Sequence, residues 1–138
     1  MIKPLNVVAL VLENHQSEIL VAKRADHKHL GGMWEFPGGK VEQGETQLQA
    51  LIRETKEEID FDLPNAKPLI TTTHAYDTFT LTLDVWYHKA RNPQVKPNEN
   101  QPLKWVSKQR LSQLGMPDAD KPIIQAILNL GLLEKNQI

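Results

Sequence analysis

Three glutamates, Glu54, Glu57 and Glu58, stand at helical spacing beside Arg53, and their chemistry is that of hard oxygen donors to a divalent cation. On a helical wheel with Glu54 at zero, Glu57 lies at about −60° and Glu58 at about +40°. The apolar stripe Leu48, Leu51, Ile52, Thr55 and Ile59 centres at roughly +115°, so the acidic face borders the core. Like charges at this spacing destabilise an isolated helix by roughly 0.2–0.5 kcal/mol per pair. Arg53 offsets part of that repulsion, and a bound Mg²⁺ or Mn²⁺ would offset the rest. The spacing alone is equally compatible with a solvated acidic helix that binds nothing. The pair Gly38-Gly39 upstream weighs against that alternative, because glycine lets a backbone amide or carbonyl approach a metal or phosphate closely.

These residues need a helix and a surrounding sheet. Thr46 followed by Gln49 predicts a capping box that starts a helix running to Ile59. The apolar run Leu5 to Leu12 reads as a buried strand, with Glu18 to Ala22 as its hairpin partner. Phe36-Pro37-Gly38-Gly39 is expected to be a loop. Thr78 to Tyr87 alternates, with Phe79, Leu81, Leu83, Val85 and Tyr87 on one side, and predicts a half-buried antiparallel strand. A polar loop over Arg91 to Pro102, a short strand over Leu103 to Val106 and a helix over Ile123 to Leu133, with Pro122 in its first turn, complete the pattern. The expectation is one α/β domain over 1–138, with helices packed on a mixed sheet.

Bulk properties narrow the function. A net charge of −1 offers no general attraction to a nucleic acid backbone or an anionic membrane, so a phosphorylated substrate needs local basic groups or a metal. The absence of cysteine excludes thiolate chemistry and a disulfide framework. The apolar run Val7 to Leu12 is too short to span a membrane, and the chain reads as a cytoplasmic enzyme, monomeric or weakly dimeric.

Gly39, five residues, Glu45, seven residues, then Arg53-Glu54-Thr55-Lys56-Glu57-Glu58-Ile59-Asp60-Phe61 resembles the Nudix box, G-x5-E-x7-R-E-U-x-E-E-x-G-U with U bulky and apolar. Two positions depart from it. Thr55 stands at an apolar position, where its methyl still packs, and Asp60 replaces the glycine of a left-handed cap at a cost of roughly 1 kcal/mol. Arg24-Ala25-Asp26, Trp34 to Glu42, Glu99 to Trp105 and Pro117 to Pro122 extend the resemblance to MutT-type nucleoside triphosphate pyrophosphohydrolases over nearly the whole chain.

The resemblance implies a Nudix α/β/α sandwich and a set of roles. Glu54, Glu57, Glu58, Glu99 and the Gly38 carbonyl would hold Mg²⁺ or Mn²⁺, and Glu54 would also accept a proton from the attacking water. Arg53 would orient the glutamates, and Glu45 would be structural or an outer partner of the site. Arg24 and Lys40 are candidates for phosphate contact, or surface charges. Glu35 would touch the base or ribose, or pair with a nearby cation. His29 and His74 would line the site, or be ordinary polar residues. Trp34 and Phe36 are expected to pack rather than stack on a base. Asp120 would read the base, or act as the N-cap of the last helix. MutT-type enzymes often carry asparagine there, whereas relatives acting on cytidine nucleotides carry aspartate. The implied substrate is 8-oxo-dGTP, with CTP, dCTP or modified pyrimidine nucleotides as the alternative. A ligand-sensing module without turnover is the reading outside enzymology, and the intact glutamate set argues against it.

Overall fold

The computed structural model describes residues 3–28 and 30–136. Its central strand is β1 (Lys3–Glu13), as the Val-rich run predicts. Val8, Leu10 and Leu12 enter one core and Ala9 and Val11 the other, the period-2 alternation of a strand covered on both faces. β1 and β2 (Glu18–Lys23) form a hairpin only at their turn, where Glu13 faces Ile19. Asn14 Oδ1 accepts from the Gln16 and Glu18 amides at 3.0 Å each, closing that turn. Beyond it the strands part. β2 takes β7 (Leu103–Ser107) and the two-residue β3 (Trp34–Glu35) as antiparallel partners.

The expected Phe36–Gly39 loop is in part a strand. β4 (Gly38–Lys40) pairs with Val7–Ala9 of β1, and neither glycine takes a positive φ. They serve close approach instead of an unusual backbone angle. A Cβ on Gly38 would sit 2.0 Å from the Val8 carbonyl oxygen.

β6 (Phe79–Lys89) keeps the expected antiparallel pairing on one side only. It runs parallel to β1 along its length, and it is interior, flanked on the other side by the antiparallel β5 (Lys67–Ala75). Its polar side is therefore covered at its middle, while Thr80 and Thr82 stay half-buried. Asp84 is buried, accepting from the Thr71 hydroxyl at 2.9 Å and the Trp86 indole at 3.0 Å. The sequence reading passed over β5 because it is an edge strand with a mostly exposed, Thr-rich face and a bulge between Pro68 and Ile70.

Two helices close the layers. α1 (Gln47–Ile59) begins with the predicted Thr46–Gln49 capping box and lays Ala50, Leu51 and Ile59 on Val8, Leu10, Leu12 and Leu20. Ile52, expected in that stripe, is 38% exposed, and Ala50 takes the buried position. α2 (Lys121–Asn136) covers the opposite face with Ile123, Ile124 and Ile127. The result is an α/β/α sandwich on a mixed sheet. Among the described residues no helix is long and apolar enough to cross a membrane.

Candidate active site

The last turns of α1 run beside β4, which turns the acidic face toward the glycine strand. Glu58 is 8% exposed, and its Oε2 accepts the Gly38 amide at 3.0 Å. Burial pushes its carboxyl up to about 8, against the pull of the Gly38 amide and with further help from Glu35, Glu99 and Glu54. Glu54 is raised too, chiefly by burial, while Arg53 draws it down. Gly39 has no room for a side chain, since a Cβ there would lie 2.3 Å from the Glu54 carboxyl carbon. Glu57 is exposed and faces solvent at the rim.

Arg53 uses all five guanidinium N–H donors. Nε and Nη2 grip Glu45 at 2.7 and 3.0 Å, Nη2 also donates to the Lys40 carbonyl at 3.0 Å, and Nη1 reaches Glu54 at 2.7 Å and Glu57 at 3.2 Å. Its hydrogen bonds hold the Glu45 carboxyl below the usual carboxylate range. Arg53 thereby joins helix and glycine strand and sets the Glu54 rotamer.

The C-terminal end of α1 is capped twice. Asp60 takes the left-handed cap at φ 54°, as the box pattern required, and its amide donates to Lys56 and Thr55 carbonyls. Thr55 is fully buried, and its hydroxyl bonds back to the Leu51 and Ile52 carbonyls, which makes its polar atom tolerable in the core. The loop 96–101 then takes the remaining carbonyls. The Lys96 amide donates to Ile59, the Asn98 amide to Glu58, the Asn98 side chain to Lys56 and Glu57, and the Gln101 side chain to Glu58. This contact brings Glu99 into the field of Glu54 and Glu58. Asn98 and Gln101 were not anticipated, and the nearest signal was their place on either side of Glu99 in a polar loop.

Two cavities meet here. One, about 400 Å³, is lined by Arg24, Lys28, Glu35, Glu58, Glu99 and Gln101 among others. The other, about 450 Å³, has a mainly apolar wall that includes Val7, Leu81 and Tyr76, with Asp120 also in its lining. Arg24 and Glu35 line both and form an ion pair at 2.9 Å, so the sequence alternative of a cationic partner for Glu35 is present in the geometry. Asp120 ends a short 3-10 turn before α2 and is 7% exposed. Burial, then Glu35, raises its carboxyl to about 7. Tyr76 stacks on Phe79 at 4.6 Å in the same wall, at the tip of the β5–β6 hairpin, where the sequence pattern named Phe79 but not Tyr76.

The remaining candidates divide. Lys40 lines the apolar cavity with its side chain exposed. His74 is exposed against the Tyr76 ring at 4.6 Å. Phe36 is in the core and Trp34 is half-buried against it, with the Lys104 ammonium 5.7 Å from its ring centre. His29 lies outside the described residues.

The donor set suits a hard divalent cation, being made of carboxylate and peptide oxygens around a strand that has no Cβ to fill the space. Among the described residues no group of three His, Cys, Asp or Glu side chains stands as a closed cation cage. Arg53 engages Glu54 and Glu57, and the Gly38 amide engages Glu58.

A model of the NUDIX domain family matches residues 8–126. The chain is 31% identical to a CTP pyrophosphohydrolase of Escherichia coli K12 over 93% of this chain and 94% of that one. It is 30% identical to an 8-oxo-dGTP diphosphatase of the same organism, over 93% and 99%. Among solved structures, one from a study of MutT from Aliivibrio salmonicida and Vibrio cholerae superposes with a TM-score of 0.78 at 36% identity, covering 93% of this chain and 99% of that one.

Proposed function

Because this chain belongs to the NUDIX domain family, we propose that it hydrolyses nucleoside triphosphates to a monophosphate and pyrophosphate, with 8-oxo-dGTP as the preferred substrate. The observation that carries this reading is the meeting of the two cavities at the Arg24–Glu35 ion pair, beside the glycine strand that lines one of them. One side presents the carboxyls of Glu58 and Glu99, with Glu54 against Gly39 close by, and the other an apolar slot with Asp120 as a polar group in its lining. A nucleotide needs both, because its base is flat and apolar with a polar edge and its phosphates need neutralising charge.

Glu54, Glu57, Glu58, Glu99 and the Gly38 carbonyl are the groups that would hold Mg²⁺ or Mn²⁺. The cation, when bound, screens the phosphate charge and acidifies water. Arg53 keeps the Glu54 carboxylate aimed across Gly39. Glu54, half-desolvated, is placed to take a proton from the attacking water. Water oxygen bonds to the β-phosphorus as the α,β-bridging bond breaks, and the bridging oxygen leaves with the monophosphate. Arg24 and Lys40 supply the local positive charge, and Asp120 the contact to the base. A second reading, cytidine triphosphate as substrate, is favoured by the raised pKa of Asp120, since a protonated carboxyl can both donate to and accept from the cytosine edge.

The test is turnover of 8-oxo-dGTP, dGTP, CTP, dCTP, 5-methyl-dCTP and ADP-ribose with Mg²⁺, with and without chelator, in ¹⁸O-labelled water. The expected result is metal-dependent release of pyrophosphate that carries the label, with the highest kcat/KM for 8-oxo-dGTP. Label in the monophosphate would overturn attack at the β-phosphorus, and no turnover of any substrate would overturn the enzyme reading.

A further inference from the structure

The amide of Gln101 bridges two acidic residues. Its Nε2 donates to the Glu58 carbonyl at 3.0 Å, and its Oε1 accepts the Glu99 backbone N–H at 2.9 Å. The opposite amide orientation would set NH₂ against N–H and oxygen against oxygen, so both bonds fix the same rotamer. Gln101 is half-buried, whereas Glu99 is exposed. Asn100 makes the bridge possible. Its φ of 58° turns the chain back after Pro97, whose carbonyl accepts the Asn100 amide at 3.0 Å, and asparagine tolerates that left-handed angle.

We propose that Gln101 is a positioning residue that fixes Glu99 against the last turn of α1, so that Glu99 and Glu58 act as one cation-binding set. The proposal rests on the reading that both glutamates bind the divalent cation. Without the bridge, the exposed Glu99 would have to be ordered at the moment of binding, at a cost in affinity. Loss of such an outer partner typically weakens metal binding by about 10–100-fold. Asn98 is a built-in comparison, because its side chain caps the same helix end at Lys56 and Glu57 without touching the Glu99 amide.

Mn²⁺ affinity of the purified full chain, measured by electron paramagnetic resonance without nucleotide, separates the possibilities. Gln101→Ala and the isosteric Gln101→Met should weaken Mn²⁺ binding about tenfold or more and speed deuterium exchange at the Glu99 amide, while Asn98→Ala stays within about twofold of the parent. Gln101→Glu keeps the acceptor for Glu99 but opposes an oxygen to the Glu58 carbonyl. It should show the same loss, and it decides the matter if the other two variants do not fold. Parent-like affinity in the Gln101 variants, with weakened binding in Glu99→Gln, would overturn the positioning role and leave Glu99 a ligand. An equal loss in Asn98→Ala would overturn it by reducing the effect to integrity of the helix end. Unchanged binding in Glu99→Gln would overturn the reading beneath it.

Discussion

The Glu58 carboxylate and the Gly38 amide meet at 3.0 Å, joining the buried side of α1 to the strand that carries the glycine pair. That bond is the main polar support of a carboxyl whose pKa is otherwise driven up by burial to about 8. Glu58 therefore favours its neutral form in the folded protein unless a cation compensates its charge.

A pH dependence follows from that relationship. A carboxyl raised on folding stabilises the protein below its unfolded pKa, and this contribution is lost as pH rises through the folded value. For Glu58 the window runs from 4.5 to about 8, and Asp120, raised from 3.8 to about 7, acts in the same direction. The Tm of chelator-treated protein should fall across this range, and Mg²⁺ should recover most of the loss at its upper end. Glu58→Gln should flatten the profile. A Tm independent of pH over that window would contradict the assignment.

Arg53 is predicted to tolerate no substitution, lysine included. Lysine has a single ammonium and cannot span Glu45, Glu54 and the Lys40 carbonyl together. Arg53→Lys should cost about 1–2 kcal/mol of stability in urea unfolding and lower kcat by about 10–100-fold, as loss of an outer partner does. Parent-like kcat would remove Arg53 from any orienting role.

The two glycines should respond differently to alanine. At Gly38 the new methyl meets backbone, the Val8 carbonyl oxygen, which cannot move aside without opening the β1–β4 pair. Gly38→Ala should therefore lower stability by about 2 kcal/mol or more. At Gly39 the nearest atoms to the methyl are those of the Glu54 carboxyl, the end of a side chain that can rotate away. Gly39→Ala should fold with little loss of Tm and lose activity by about 10-fold or more. Equal effects on Tm and kcat in both variants would refute the distinction.

Base preference should depend on pH through Asp120. The titratable groups that line the same cavity are Arg24, Glu35, Lys40 and Tyr76, with Glu35 the one that adds to burial in raising it. An ionised carboxylate accepts from the two N–H donors of a guanine edge, whereas a protonated one matches the acceptor and donor of cytosine. The ratio of kcat/KM for 8-oxo-dGTP over CTP should rise through pH about 7 in the parent and be flat in Asp120→Asn. An identical profile in both proteins would leave Asp120 a structural residue only.

The capping box at Thr46 and Gln49, the span of α1 and the placement of Glu54 and Glu58 beside the core were legible in the sequence, because a helix relates residues three and four apart by local geometry alone. The left-handed Asp60 cap was legible for the same reason. What the sequence did not disclose depends on partners far along the chain. It read Gly38 and Gly39 as a loop since a glycine pair usually breaks structure, and only the closeness of β1 and Glu54 shows that they are strand residues chosen for lack of a Cβ. It read β6 as a half-buried antiparallel strand, which holds for its pairing with β5 but misses its parallel pairing with β1, because alternation reports a polar side without reporting which strands flank it. It left the bond of Glu58 to the Gly38 amide and that of Gln101 to the Glu58 carbonyl unseen, since each joins segments that meet only when the layers are assembled. The shorter-range Arg53–Glu45, Tyr76–Phe79 and Gln101–Glu99 contacts each involve a turn or loop residue, whose course periodicity does not report. The sequence by itself determined the acidic helix and the reaction it points to. Which carboxylates are desolvated, and which groups hold them in place, was decided by tertiary packing, because burial and long-range hydrogen bonds are properties of the assembled layers and of no single segment.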